Sequence, residues 1–284
     1  MFKKIFFAAA LLLASELIAK PVVIASIAPV GYLAKAVGGD KIEVQSLAKG
    51  DVHSYEPKPN DMKAVAKARI FIAAGLEFEE AWIPRFKASA KNLVVVQSDA
   101  KIAKLKEERG EQAEHDEKHE AHADPHVWLN PMLAITMARN ISDALIDMDK
   151  ANKDFYLENF QKLMNDLLAF DESAKESLAG LKNRKFVVYH PAWGYFAAHY
   201  DLEQISIERS GKEPKIDEMA STLKMIKDEN IKVIFADPNR SQKSAQILAS
   251  QTGAKVELLD PLGYNLLENL KIAVGAIKDA NSPK

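Results

Sequence analysis

Three histidines stand in similar settings, each beside proline and aromatic residues where a predicted strand ends. They are His53, His126 and His190. Proline restricts the local backbone and aromatic rings exclude water, so such settings could hold an imidazole ready to bind a divalent metal ion. For any one of them taken alone, a buried histidine with a structural hydrogen bond is the commoner explanation, and spacing does not join the three into one site. His199, inside a predicted helix, is interpreted as structural.

A second group of histidines lies in a polar, acidic stretch. Residues 101–124 interrupt the pattern of strands and helices and are predicted to form a mobile loop. The stretch contains His115, His119 and His122, with Glu114, Asp116, Glu117 and Glu120 among them. Imidazole with carboxylate suits divalent transition metals, but ordering a loop costs conformational entropy, so binding there would be loose. A solvated charged loop without metal is the alternative interpretation.

Composition narrows the chemistry. The chain has 284 residues, of which 48% are apolar, enough for two packed domains. It has no cysteine, which excludes disulfides, thiolate metal sites, a cysteine nucleophile and a lipidated cysteine. A metal site would therefore use nitrogen and oxygen ligands. The net charge is −2 with lysine and arginine spread along the whole length, so we expect no nucleic-acid partner.

The first 19 residues are typical of an export signal. Lys3 and Lys4 precede an apolar stretch at residues 5–14 that is too short to span a bilayer, and Ala19 supplies a small residue before the expected cleavage point. An uncleaved membrane anchor is the alternative, which the length disfavours. We predict a signal peptide at 1–19 and a mature protein that is free in the periplasm, with no stable membrane insertion.

The remaining sequence alternates between strand and helix patterns. Strands are predicted at residues 21–27, 42–47, 68–75, 93–96, 186–189, 204–207, 233–236 and 255–259, with helices between them. A long helical pattern over residues 153–181 separates two such runs. We predict an α/β fold of two βα lobes with mainly parallel sheets, at 20–150 and 183–284, joined by a long rigid backbone helix at 151–182. A crevice between two such lobes suits ligand capture.

Several motifs together resemble one known family. They are the segment around His53 with Pro57 and residues 59–61 (PND), residues 124–131 (DPHVWLNP), 190–196 (HPAWGYF), 208–214 (ERSGKEP) and 260–263 (DPLG). With the leader, the acidic histidine loop and the long helix, they resemble the solute-binding proteins of zinc and manganese ABC importers. The resemblance is closest to the zinc-binding ZnuA-type members and covers nearly the whole mature chain.

This resemblance implies the ligands and the partner. It implies that His53 and His126 of the first lobe and His190 of the second bind Zn²⁺, with Asp260 as the fourth ligand or a close carboxylate. It also implies a membrane permease of a zinc importer as partner, and we expect a monomer. The loop is shorter and poorer in histidine than in many zinc-binding members, and Val52 stands where some relatives carry glutamate. The fourth ligand therefore stays open between Asp260 and water.

Three other functions share some of these sequence features with a zinc-binding transport protein. Manganese-binding relatives usually carry glutamate where His190 stands, and manganese prefers more oxygen ligands. A zinc-dependent hydrolase would also use three histidines with an open fourth position, but the sequence has no His-Glu-x-x-His or Gly-x-Ser-x-Gly motif. An adhesin-like surface protein is disfavoured because there is no cysteine for a lipid anchor.

Overall fold

Two parallel four-stranded sheets form the framework of the protein. The computed structural model describes residues 20–106, 123–208 and 215–281; the predicted signal peptide, the loop histidines His115, His119 and His122, and residues 209–214 lie outside these ranges. The first sheet contains β1 (Val22–Ile27), β2 (Glu43–Ala48), β3 (Ile70–Ala73) and β4 (Val94–Gln97), in the order β2-β1-β3-β4. The second contains β5 (Lys185–Val188), β6 (Glu203–Ser206), β7 (Val233–Ala236) and β8 (Lys255–Leu258), in the order β6-β5-β7-β8. All the pairings between these strands are parallel.

Helices connect the strands and cover both sheets. They are α1 (Ala28–Gly38), α2 (Pro59–Val65), α3 (Glu77–Ser89), α4 (Pro131–Met148), α5 (Lys153–Ala179), α6 (Gly194–His199), α7 (Ile216–Asp228), α8 (Lys243–Thr252) and α9 (Leu266–Asn281). The α/β fold with two parallel-sheet lobes is therefore confirmed, and the helices and strands lie within a few residues of the predicted ranges. Among the described residues, no helix is both long and apolar enough to cross a membrane.

The buried strands and capped helices follow from local sequence. In β1, five consecutive residues from Val23 to Ile27 are buried, as expected for a strand with neighbours on both edges and helices on its faces. Helix α4 begins where Asn130 caps it, because the side-chain carbonyl accepts hydrogen bonds from the backbone N–H groups of Met132 and Leu133. Pro131 occupies the first turn, where a missing N–H costs nothing.

Helix α5 joins the lobes through a shared core. Its 27 residues correspond to a length of about 40 Å. Its buried apolar residues repeat every three or four positions: Tyr156, Phe160, Leu163, Leu167, Phe170, Ala174 and Leu178. The helix packs on α1 and α4 of the first lobe and on α9. One continuous hydrophobic cluster includes this face of α5 and buried residues of both lobes, so the helix is part of the packed interior and not a free linker.

Loops that follow strands meet at the boundary between the two lobes, which is called the crevice. His53 follows β2, His190 follows β5, Glu208 follows β6 and Asp260 follows β8. In parallel sheets the loops at the carboxyl ends of the strands lie at one edge, which is where ligands bind in such folds. The lobes also contact each other directly: the indole N–H of Trp128 donates a 2.8 Å hydrogen bond to the backbone carbonyl of Pro261.

Candidate metal centre

Three imidazole nitrogens from separate segments meet in the crevice. The Nε2 atom of His190 lies 3.3 Å from Nε2 of His53 and 3.4 Å from Nε2 of His126. One ring nitrogen from each histidine lies within 4.8 Å of the other two. For a tetrahedral zinc ion with Zn–N bonds of about 2.0–2.1 Å, the ligand nitrogens are about 3.3–3.4 Å apart. The two separations of 3.3 and 3.4 Å therefore match the edge length of a zinc coordination tetrahedron.

A carboxylate fixes the ring of His126. This histidine is buried, and its Nδ1 atom lies 2.8 Å from Oδ1 of Asp124. The backbone N–H of His126 donates to the same oxygen at 2.9 Å, and the Trp128 ring packs against the imidazole. Asp124 is itself buried, and its backbone carbonyl accepts a hydrogen bond from the Tyr195 hydroxyl of the second lobe. The ring is thus held from several sides before any metal arrives.

His190 is held in the same manner from the second lobe. It is buried at the end of β5, and its Nδ1 atom lies 3.2 Å from Oε2 of Glu208. Glu208 follows β6, which pairs with β5, so neighbouring parallel strands bring the two residues together. The Glu208 carboxylate also accepts hydrogen bonds of 2.9 and 3.1 Å from Nη1 of Arg240.

His53 is held less tightly. It is half-buried, in the loop between β2 and α2. Its backbone N–H donates to Oδ1 of Asp51 at 3.2 Å, and Nη2 of Arg240 lies 2.7 Å from that oxygen. Its ring contacts the rings of His126 and His190. Within the described part of the chain, no carboxylate accepts a hydrogen bond from the His53 ring.

The surroundings of two of the three histidines, His53 and His190, favour the neutral imidazole. Burial, together with the nearby His126 ring and Arg240 guanidinium, lowers the pKa of His53 from 6.5 to about 4. Burial and the same two neighbours also lower the pKa of His190 well below its ordinary value. If Nδ1 of His126 and of His190 donates to its carboxylate, both Nε2 atoms present lone pairs toward the same point. Facing lone pairs repel each other, and a cation between them removes that repulsion.

Asp260 is not part of this group. Its Oδ1 atom accepts hydrogen bonds from the backbone N–H of Leu262 at 2.9 Å and from the Asn239 side chain at 3.0 Å. These bonds hold the carboxylate in the loop after β8, and the described ligand group consists of the three histidines only. His199, interpreted as structural, lies 2.6 Å from Oδ1 of Asp171 on α5 and is outside the group as well.

Sequence reasoning missed the residues that orient the ligands. In the sequence, Asp124 and Glu208 stand out only as members of motifs, and no local pattern indicates a role for Asp51 or Arg240. An available signal was position, because Glu208 and Arg240 follow β6 and β7, whose carboxyl ends meet at the ligand-binding edge of the sheet. The pairing of Asp51 with Arg240 across 189 positions has no counterpart in any local pattern.

Comparison with known proteins identifies the family. A family described as zinc-uptake complex component A, periplasmic (ZnuA), matches residues 23–280. This chain belongs to the ZnuA family. The high-affinity zinc uptake system protein ZnuA of Bacillus subtilis strain 168 is 30% identical over 279 residues, which cover 91% of this chain and 86% of that protein.

Solved structures of ZnuA have the same fold. A crystal structure of ZnuA is 34% identical, with a TM-score of 0.86, and the match covers 93% of this chain and 100% of that one. A zinc-bound deletion mutant of ZnuA is also 34% identical with a TM-score of 0.86, covering 93% and 99% of the two chains. These findings confirm the family indicated by the motifs and the two-lobed architecture.

The donor atoms of this ZnuA-family chain agree with that family's metal. Three imidazole nitrogens with no carboxylate oxygen in the described group suit zinc, whereas manganese prefers a larger share of oxygen. The manganese alternative is therefore not favoured. As described, the members of the family are components of a zinc-uptake complex.

Proposed function

We propose that this protein captures Zn²⁺ between its two lobes in the periplasm and delivers it to the membrane permease of a zinc ABC importer. The observation behind this proposal is the convergence of the His53, His126 and His190 ring nitrogens, with two separations of 3.3 and 3.4 Å. The names of the ZnuA relatives, one for high-affinity zinc uptake and one with zinc bound, support the choice of metal.

In this proposal the three histidines bind zinc through Nε2. Asp124 and Glu208 accept hydrogen bonds from Nδ1 of His126 and His190, which selects the tautomer with a free Nε2 lone pair. We propose that water, and not Asp260, completes the four-coordinate site, and the position of Asp260 outside the described ligand group supports this assignment. Asp260→Asn tests this assignment: with water as the ligand the zinc affinity stays close to that of the unchanged protein, and with Asp260 as the ligand it falls.

The site is proposed to bind metal without catalysing a reaction. A zinc hydrolase needs a general base directed at the metal-bound water. The two carboxylates that contact the ligand rings, Asp124 and Glu208, are engaged with Nδ1 atoms on the far side of the rings from the metal position. We expect no hydrolysis of an activated ester by the zinc-loaded protein beyond the rate of a metal-free sample.

Export and the monomeric state belong to the same proposal. The family description places its members in the periplasm, and residues 1–19 have the basic, apolar and small-residue order of a signal peptide. Osmotic shock should release a monomer. Its intact mass should correspond to a chain that begins at Lys20, within a residue or two. A membrane-bound chain that retains residues 1–19 would contradict export by cleavage.

The direct test is a zinc titration of metal-free protein in competition with a chromophoric chelator. We expect one tight site per chain, no displacement of zinc by excess manganese, and loss of tight binding in His126→Ala. His199→Gln is the matched control, because it changes a histidine outside the site and keeps a polar group beside Asp171. Tight binding retained by His126→Ala would refute the proposed site.

A further inference from the structure

Arg240 connects the two lobes through an ion-pair network beside the three histidines. Its Nη1 atom donates to both oxygens of Glu208, its Nη2 atom donates to Asp51 at 2.7 Å, and its Nε atom lies 3.8 Å from Asp237. Glu208 and Asp237 belong to the second lobe, as Arg240 does, whereas Asp51 belongs to the first. The contact with Asp51 is therefore the one that crosses the crevice.

The ion pair between Arg240 and Glu208, the first arm of this network, is buried. The Glu208 side chain is 3% exposed and the Arg240 side chain 13%. Because Glu208 contacts Nδ1 of His190, this arm positions the carboxylate that orients that ring. Both partners follow strands of the same sheet, so the arm stays intact if the lobes move apart.

The ion pair between Arg240 and Asp51, the second arm, is more exposed to solvent and positions the turn that carries His53. The Asp51 side chain is 37% exposed. Its Oδ1 atom accepts hydrogen bonds from Arg240 and from the backbone N–H of His53, and its Oδ2 atom accepts one from the Ser54 hydroxyl. Asp51 thus ties together the turn that presents His53, and Arg240 ties that turn to the opposite lobe.

We propose that the Arg240–Asp51 ion pair is a latch that sets how long zinc stays bound. While the latch is closed, His53 is held 3.3 Å from His190 and completes the three-nitrogen site. When it opens, the His53 turn is free to leave, and the metal keeps only the two histidines that carboxylates hold. This inference rests on the proposed zinc site and assigns to Arg240 and Asp51 the control of zinc release.

If the latch controls release, removing it should speed zinc release without removing any of the three histidine ligands. Asp51→Asn removes the charge but keeps an oxygen for the His53 backbone N–H, so all three ligands remain. We expect zinc release to be about 5- to 20-fold faster, the range for loss of a partly exposed but directly hydrogen-bonded ion pair. The association rate should change little. High salt should speed release from the unchanged protein and have a smaller effect on Asp51→Asn.

The experiment is stopped-flow transfer of zinc from the loaded full-length mature protein to excess chelator. Asp51→Asn is compared with Asp51→Glu, which keeps the charge and should restore slow release at least in part. Asp143→Asn is the matched control, because Asp143 forms an exposed ion pair with Arg139 on α4, away from the crevice. Cobalt loading supplies an independent readout: the visible spectrum of Co²⁺ in Asp51→Asn should match that of the unchanged protein.

The outcomes separate the latch from the zinc site itself. Release from Asp51→Asn at the unchanged rate, with tight zinc binding intact in the unchanged protein, would overturn the latch and leave the site standing. An altered Co²⁺ spectrum in Asp51→Asn would also overturn it, because Asp51 would then shape the coordination sphere. An unchanged protein that does not bind zinc tightly would refute the proposed function first.

Discussion

His126 and His190 are buried, and each has a carboxylate within hydrogen-bond distance of its Nδ1 atom. His53, in contrast, is half-buried and is positioned through the backbone of its turn. The first two rings are oriented before metal binds, one from each lobe. The third depends on a turn that contacts the opposite lobe through Asp51 and Arg240. A transport protein must bind tightly and still release its metal, and this division gives each task to different residues.

His126 and His190, whose rings are oriented by carboxylates, form a fixed pair. This fixed pair also explains why the metal-free site is prepared to bind a cation. Burial lowers the pKa of His190 and so favours its neutral form. In the proposed tautomers Nδ1 of His190 donates to Glu208, and its Nε2 is an acceptor that faces the Nε2 acceptor of His126 at 3.4 Å. Two acceptors at that distance are unfavourable in the metal-free protein. Zinc between them converts the repulsion into two bonds, so part of the binding free energy is prepared by the fold.

The largest expected effect distinguishes the fixed pair from His53. His126→Ala or His190→Ala should weaken zinc binding by more than about 100-fold, since loss of an orienting partner alone typically costs 10- to 100-fold. His53→Ala should weaken it less, because two oriented ligands remain. The measurement is chelator competition, supported by the thermal stabilisation that zinc confers, which follows mass action. A larger loss in His53→Ala than in the other two variants would reverse the comparison.

The next effect concerns the carboxylates behind the fixed pair. Asp124→Asn and Glu208→Gln keep the shape of the side chain but weaken the hydrogen bond to Nδ1, and each should reduce zinc affinity about 10- to 100-fold. Asp99→Asn is a suitable control, because Asp99 pairs with Lys104 away from the three histidines. Unchanged affinity in both variants would mean that packing alone orients the rings.

Much of this arrangement could be predicted from the sequence, for definable reasons. Apolar runs such as residues 22–27 mark strands because buried parallel strands need apolar residues on both faces. His53, His126 and His190 could be proposed as one site because their motifs match a family, although spacing alone did not join them. Asp260 shows the limit: its strand-end position suggests a ligand, and the sequence does not show that Leu262 of its own loop and Asn239 of the loop after β7 donate to its Oδ1 atom. Contacts between distant side chains, such as Arg240 with Asp51, depend on how the lobes pack and leave no local pattern.

Acid should destabilise the metal-free protein through the same histidines. In the unfolded chain a histidine has a pKa near 6.5, whereas in the fold the pKa of His53 is about 4 and that of His190 is also lowered. Between these values the unfolded state binds more protons, so the free energy of unfolding falls as pH falls from about 6.5 toward 4. Each such histidine contributes at most about 1.4 kcal/mol per pH unit. Urea denaturation of the metal-free protein at pH 7.5 and pH 5 measures this, and His53→Gln should reduce the pH dependence. Equal stability of the unchanged protein at both pH values would contradict it.

The smallest effect is expected from the acidic loop. Deletion of residues 111–121 removes His115 and His119, and we expect the tight zinc site and the fold to remain, with loss of at most a weaker second binding event. Ordering a polar loop costs conformational entropy that its metal bonds must offset, whereas the described residues that flank the deleted segment in sequence are already held by hydrogen bonds. Lys106 forms an antiparallel bridge with Ala123, and the backbone N–H of Asp124 donates to Leu105 at 2.9 Å. The Tyr195 hydroxyl accepts from the N–H of Leu105 and donates to the carbonyl of Asp124.

These contacts hold the chain segment that precedes His126, and none of them involves a residue of the deleted segment. After the deletion, residues 107–110 and 122 still connect Lys106 to Ala123, which is within the usual length of a hairpin connection. Asp124 therefore keeps its position, and with it the orientation of the His126 ring. Calorimetric zinc titration of the deletion protein beside His190→Ala makes the comparison. If the deletion protein lost the tight phase while His190→Ala kept it, the strong site would lie in the loop, and the roles assigned to the two groups of histidines would be exchanged.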